Sequence, residues 1–186
     1  AGIDYLAKQL TLKREEATEA IADHVRLCYD ICHFAVGYED HETVIKQLHA
    51  EGIRTGKIQI SAALRAGMSP MPGERKAVAA AFSQFNESTY LHQVVALQQG
   101  GELKRYRDLP EALADTNASS TREWRAHFHV PLFVENYGAL RSTQEDIRKV
   151  LRIQQESPIT SHLEVETYTW EVLPEKLKLP LTDSIV

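Results

Sequence analysis

Acidic and imidazole side chains recur in this chain at spacings that could hold a metal ion. Asp30 and His33 stand three residues apart in LCYDICHF, and His127 and His129 stand two apart in EWRAHFHVPLF. Because side chains alternate across a strand, His127 and His129 share one face. Carboxylate and imidazole ligands together suit Mn²⁺, Zn²⁺, Fe²⁺ or Co²⁺ better than Ca²⁺. The alternatives are a structural ion pair for Asp30 with His33 and stacked core histidines for the other two.

Polar faces on two further predicted strands extend this set. GKIQIS alternates Lys57, Gln59 and Ser61 with isoleucines, and SHLEVETYTW places Glu164 and Glu166 on one face. A buried strand with an ionisable face needs partners for those groups, so we expect the polar faces to converge. The predicted metal ligands are Asp30, His33, Gln59, His127, His129 and Glu166.

Lys57 and Glu166 are the predicted proton-transfer groups. A lysine inside a barrel can have its pKa lowered by burial, which would make Lys57 a base; its alternative role is charge balance. Glu164 lies deeper on the same face as Glu166 and is expected to pair with Lys57 or Arg125.

Strands and helices are predicted to alternate along the chain. The predicted strands are 27–34, 53–61, 123–133 and 161–170. The predicted helices are 13–25, a helix capped by Asp40 and ended by Gly52, 74–85, a short helix capped by Asp108, and one after a capping box at 142–145. A β-hairpin interrupts the pattern between residues 88 and 108. The alternation predicts an α/β fold with a parallel sheet, in which four units make half of a (β/α)8 TIM barrel.

Composition limits the classes of partner and compartment. The chain has 186 residues, of which 43% are hydrophobic, and 21 Lys and Arg against 26 Asp and Glu give a net charge of -5. A single domain over 1–186 is expected, with no nucleic-acid partner because no basic stripe is present. No stretch approaches the roughly 18 apolar residues of a membrane span. The expected compartment is the cytoplasm, with Cys28 and Cys32 as reduced, buried thiols.

The segment CYDICHFAVGYED resembles the xylose isomerase-like superfamily, whose members are TIM barrels that include sugar phosphate isomerases, epimerases and endonuclease IV. The resemblance implies that Asp30 and His33 are metal ligands. It also places His127 and His129 at an Asp-x-His pair of the family and Glu166 at the ligand of the last strand. Gln59 departs from the pattern, because the family commonly has a histidine ligand there.

A branch of that superfamily, the EboE metabolite-traffic proteins, is similar over almost the whole chain. The segments that carry the similarity are ICHFAV, GKIQISAAL, YLHQVV, RYRDLPEAL, HFHVP and LEVETYTWEVLPE. The resemblance implies that the chain is the C-terminal half of a barrel, strands five to eight, with an inserted hairpin. A missing N-terminal half-barrel or a second copy is then the expected partner, and the chain alone is expected to dimerise or aggregate.

These observations give three function hypotheses. The first is a metal-dependent sugar or sugar-phosphate isomerase or epimerase acting on a small polyhydroxy metabolite. The second is a metabolite-binding or traffic protein that captures such a molecule without turnover. The third is an endonuclease IV-like phosphodiesterase, which would need a cationic face and more metal ligands.

Overall fold

The structure is a computed structural model that describes residues 2–115 and 119–166, with the single positions 175, 178 and 180. The helices are α1 (Gly2–Leu10), α2 (Arg14–His24), α3 (Ile31–Val36), α4 (His41–Ala50), α5 (Pro72–Ser83), α6 (Leu109–Ala114) and α7 (Gln144–Glu156). The strands are β1 (Leu27–Asp30), β2 (Thr55–Ile60), β3 (Ala62–Gly67), β4 (Val94–Gln98), β5 (Leu103–Tyr106), β6 (Thr121–Val130), β7 (Asn136–Tyr137), β8 (Leu140–Ser142) and β9 (Leu163–Val165). Among these described helices, none is long and apolar enough to cross a membrane.

Three strands form a small parallel sheet in the order β1-β2-β9. Tyr29 pairs with Ile58, which pairs in turn with Leu163. The chain passes from β1 to β2 through α3 and α4, the kind of crossover that a parallel pair requires. Tyr29 and Ile58 are fully buried, so one face of this sheet belongs to the core. Of the predicted strand at 161–170, positions 167–170 lie outside the described residues.

Six strands form an antiparallel sheet in the order β5-β4-β6-β3-β8-β7. The ten-residue strand β6 pairs with β3 on one side and with β4 on the other. The predicted half of a TIM barrel is therefore wrong, since such a half has only parallel strands and neither sheet closes into a barrel within the described residues. The expected partner, a missing N-terminal half-barrel, followed from that prediction and is no longer implied.

The physical reason for this error lies in the alternation of β6. Trp124, Ala126, Phe128 and Val130 are at most 2% exposed, whereas Arg125 and His127 are only partly buried. One apolar and one polar face is the usual pattern of an antiparallel sheet, whereas parallel strands are apolar on both faces. The chain also enters β3 directly after Ser61, which transfers it from the parallel to the antiparallel sheet.

The apolar face of the antiparallel sheet packs on α5 and α6. The ring centroids of Phe82 and Trp124 are 5.7 Å apart, and those of Phe85 and Phe128 are 5.1 Å apart in an edge-to-face contact. Leu109 of α6 joins the same hydrophobic cluster. This cluster also contains residues of the parallel sheet, so the two sheets share one core.

Helix α3 covers the opposite face of the antiparallel sheet. A separate small cluster of Cys32, Val36, Ala63 and Val95 forms this contact. The predicted strand over 27–34 is thus too long, because β1 ends at Asp30 and the next residue begins a helix. The polar face of β6 consequently lies towards a helix N-terminus and not inside a barrel.

Several local predictions are confirmed. Asp40 caps α4 by accepting a hydrogen bond from the Thr43 amide, and Asp108 caps α6. The hairpin is present as β4 and β5. The capping box predicted at 142–145 is not formed, because the N-cap of α7 is Thr143 and the Ser142 hydroxyl accepts a hydrogen bond from the Gln144 amide at 3.3 Å; the Thr143 hydroxyl accepts one from the Ala63 amide at 2.9 Å. Helix α1 was not predicted.

Candidate metal centre

Asp30 lies at the junction of β1 and α3, where its carboxylate is held by two groups. Its Oδ1 accepts a hydrogen bond from the Cys32 amide at 3.0 Å, as expected of an N-cap residue, and another from the Ser61 hydroxyl at 2.5 Å. Ser61 stands between β2 and β3 and is fully buried. The Asp30 side chain, 14% exposed, is therefore fixed relative to both sheets.

The second carboxylate oxygen of Asp30 faces two imidazole rings. Its Oδ2 is 3.6 Å from His33 Nε2 and 3.7 Å from His129 Nε2. His33 stands in the first turn of α3, three residues after Asp30, and its side chain is 55% exposed. His129 comes from β6 and is buried. One metal-donor side chain from each of β1, α3 and β6 thus lies in the same region.

His127 completes the group from the same face of β6. Its Nε2 lies 3.1 Å from Nε2 of His129, and its ring centroid is 4.3 Å from that of His33. Two such nitrogen atoms can share a single proton, or both can direct their lone pairs to one cation. The predicted convergence of Asp30, His33, His127 and His129 is present in the structure.

The spacing of these donor atoms fits a metal ion. Zinc–nitrogen bonds of about 2.0–2.1 Å at tetrahedral angles place neighbouring ligand atoms about 3.4 Å apart. In the structure Asp30 Oδ2 is 3.6 and 3.7 Å from the two imidazole nitrogens, and the Nε2 atoms of His127 and His129 are 3.1 Å apart. Two overlapping triads satisfy the distances: one is Asp30, His33 and His129, and the other is Cys32, His127 and His129, in each of which the ligand atoms lie within 4.8 Å of one another.

Protonation distinguishes the two triads. Burial and the Asp30 charge hold the pKa of the Cys32 thiol well above its ordinary value. A cation at the triad with Cys32 must therefore displace a firmly held proton. The triad with Asp30 supplies a carboxylate and two imidazoles, so we expect it to be occupied first.

Burial keeps the His127 ring neutral. Desolvation, followed by the positive charges that His129 and His33 can carry, lowers the pKa of His127 to about 3, although the backbone carbonyl of Leu91 hydrogen-bonds the ring and opposes this shift. A neutral imidazole is the form that binds a metal ion. His127 is therefore available as a ligand throughout the physiological pH range.

Glu166 lies on the other side of the His129 ring from the donor group. Its Oε2 is 3.1 Å from His129 Nδ1, without the alignment of a hydrogen bond. A carboxylate against the second nitrogen of a metal-binding histidine orients that ring. The structure thus places Glu166 behind a candidate ligand rather than among the ligand atoms.

Lys57 and Gln59 lie outside the donor group. Lys57 donates a hydrogen bond to Glu164, which raises the pKa of Lys57, so the predicted lowering of that pKa is wrong. The predicted pairing of Glu164 with Lys57 is confirmed. Gln59 Oε1 accepts a hydrogen bond from Cys28 Sγ at 3.3 Å. Both cysteines are free, but Cys28 is exposed and not buried as predicted.

Sequence reasoning missed two members of the site. Cys32 was interpreted only as a buried thiol, although it stands two residues after Asp30. Ser61 was noted on the polar face of β2 without a role. The missing information was the turn into α3, which brings the Cys32 amide and thiol to the group.

Comparison with protein families, with curated proteins and with solved structures finds no match to this chain. Nothing in these comparisons indicates the xylose isomerase-like superfamily. The functional argument therefore depends on the geometry of the donor group.

The lowered pKa of His127 makes the stability of the metal-free protein depend on pH. Below about pH 6.5 the unfolded chain binds a proton at His127, whereas the folded chain does not. The free energy of unfolding therefore falls as the pH falls towards 3. His127 should account for up to about 2 kcal/mol of loss between pH 6.5 and 5. Urea unfolding at pH 7, 6 and 5 with a chelator measures this slope.

The His127→Asn variant should lose that part of the slope, whatever its stability at pH 7. The control is His49→Asn, which removes an exposed histidine of α4 and should keep the slope of the wild type. An identical pH dependence in His127→Asn and in the wild type would show that His127 titrates normally in the folded chain.

Proposed function

We propose that this protein binds one divalent transition-metal ion through Asp30, His33 and His129, with His127 as the adjacent donor. The observation that carries the proposal is the position of Asp30 Oδ2, at 3.6 and 3.7 Å from two imidazole Nε2 atoms. Its other oxygen is already engaged by Cys32 and Ser61. The arrangement leaves the lone pairs of Oδ2 directed at the same region as both rings.

The donor types favour Mn²⁺, Zn²⁺, Fe²⁺ or Co²⁺. Two imidazoles and a carboxylate leave coordination positions for a substrate, as catalytic metal sites do. His33 is more than half exposed, which gives a small molecule access from solvent.

The function best supported by this geometry is metal-dependent chemistry on a small polyhydroxy metabolite, with isomerisation or epimerisation as the reaction. A bound divalent ion acts as a Lewis acid that polarises a carbonyl or hydroxyl group. His33 and His129 both lie at Oδ2 of the Asp30 carboxylate, and Glu166 faces the second nitrogen of the His129 ring. In that reaction Glu166, a predicted proton-transfer group, would accept a proton from the carbon next to the polarised group and return it to the same or the neighbouring carbon.

A second function, binding of such a metabolite without turnover, is favoured by the state of the two predicted proton-transfer groups. Lys57 is engaged by Glu164, and Glu166 faces the His129 ring. Neither group is directed at the region between His33 and His129. Binding of the metabolite by the metal site alone does not require a group that removes a proton.

Metal content tests the site itself. The chain purified without chelator should contain about one ion of Mn, Zn, Fe or Co, and the Asp30→Asn, His33→Gln double variant should lose most of it because two of three ligands are gone. Asparagine is as good an N-cap as aspartate, so α3 is retained. Elemental analysis measures the content, and circular dichroism checks folding.

The matched control removes one carboxylate and one imidazole from the exposed end of α4, as Glu51→Gln with His49→Asn, and should keep the metal. Equal metal content in the folded double variant and the wild type, or none in either after reconstitution with each of the four ions, would exclude the site.

Glu166→Gln separates orientation of His129 from proton transfer. If Glu166 orients the ring, the variant should bind metal about 10–100-fold more weakly. Glu164→Gln, on the same strand face but paired with Lys57, is the control and should keep wild-type affinity. A competition titration with a fluorescent chelator measures both. Unchanged affinity in Glu166→Gln, together with loss of turnover, would assign Glu166 to proton transfer instead.

Turnover distinguishes the two functions. The metal-loaded chain is incubated with aldoses, ketoses and their phosphates in D2O, and NMR detects deuterium at the carbon next to the carbonyl. An isomerase or epimerase should introduce deuterium into one of them, and the Asp30→Asn, His33→Gln variant should not. Saturable binding without any exchange would instead support the carrier function.

A further inference from the structure

The polar face of β6 continues across the antiparallel sheet beyond the part that α3 covers. In the registers of this sheet, Val95 pairs with Arg125 of β6 and with Arg105 of β5. Side chains two residues apart on a strand share a face, so Arg105 lies on the same face as Arg125 and His127; Arg107 directly follows the end of β5. The His127 amide donates to the Gln93 carbonyl at 2.8 Å, which brings β4 beside the donor group.

A cavity of about 330 Å³ lies between α3 and the β4–β5 hairpin. Its lining includes His33, Val36 and Glu39 from the side of α3, and Gln93, Arg105 and Arg107 from the hairpin. His33 belongs both to this cavity and to the candidate metal centre. The volume is near the lower end of small-molecule sites, which suits a compound of a few carbon atoms.

The two arginines in this cavity differ from the other exposed arginines without an ion pair in the described part of the chain, Arg122, Arg148 and Arg152, because both line the cavity that contains His33. Arg54 pairs with Glu19 and Asp23, and Arg141 pairs with Glu135. Among the described residues no carboxylate forms an ion pair with the side chain of Arg105 or Arg107, although acidic residues outnumber basic ones in the chain. Two guanidinium groups that lack an acidic partner and line a small cavity favour the binding of an anion in that cavity.

Resting on the metal-dependent function proposed above, we propose that this cavity binds the oxyanionic group of the metabolite, a phosphate or a carboxylate, through Arg105 and Arg107. The guanidinium groups match the planar, bidentate geometry of such oxyanions. The remainder of the molecule extends past His33 towards the Asp30 carboxylate. Glu39, on the α3 side, accepts a hydrogen bond from a hydroxyl group of the same molecule. The substrate class is thus a small anionic hydroxy compound.

The test uses the full chain, labelled with ¹⁵N and freed of metal by a chelator, so that no anion binds through a cation. Inorganic phosphate and acetate are titrated separately, and amide shifts of β4, β5 and α3 report occupancy. We expect saturable binding of at least one anion. Tighter binding of phosphate would indicate that the metabolite carries a phosphate group, and tighter binding of acetate would indicate a carboxylate. The Arg105→Gln, Arg107→Gln double variant should bind that anion about tenfold or more weakly.

The matched control is Arg122→Gln with Arg148→Gln, which removes two exposed arginines outside the cavity and should bind like the wild type. Equal affinity in the Arg105, Arg107 variant and the wild type would overturn the proposal, as would absence of saturable binding of both anions to the wild type.

Elemental analysis of the same proteins keeps the two proposals separate. The Arg105, Arg107 variant should retain the metal of the wild type. If the wild type holds no metal but binds an anion through the two arginines, the metal-dependent function is contradicted and the anion site is supported.

Discussion

The carboxylate of Asp30 is the group on which the candidate site depends. Burying a negative charge is unfavourable unless hydrogen-bond donors or cations surround it. Here one oxygen is held by the Cys32 amide and the Ser61 hydroxyl, and the other faces two imidazoles. Because these partners come from α3, from the junction of β2 with β3 and from β6, this single side chain contacts elements of both sheets.

This placement explains why the donor group lies between the sheets and not at the end of a barrel. The parallel sheet brings Asp30 to the N-terminus of α3, and the antiparallel sheet brings His127 and His129 to the same end of that helix. The short helix supplies His33 in its first turn. Ligands from elements distant in sequence thus converge because α3, which begins directly after β1, packs on the antiparallel sheet through Cys32 and Val36.

The sequence was sufficient to predict which residues of β6 share a face, but not the sheet to which that strand belongs. Alternation in β6 correctly placed His127 and His129 together, opposite Trp124 and Phe128. Pairing direction depends on contacts between distant segments, which local alternation does not contain. The run Ala62–Gly67 was not predicted as a strand, because small apolar residues dominate it and it shows little alternation, although β3 is the strand that joins the two sheets. Glu166 was placed on the correct side of its strand, but which histidine nitrogen it faces depends on packing.

Strand β6 carries the core on one face and the candidate site on the other over ten residues. A slip of one residue in its pairing would exchange the two faces along the whole strand. Trp124 and Phe128 would then lie beside Asp30, and two histidines would enter the apolar layer next to Phe82 and Phe85. Such a misfolded state loses hydrophobic burial and buries imidazoles without partners at the same time. The same residues that form the candidate site therefore help to reject incorrect pairings while the chain folds.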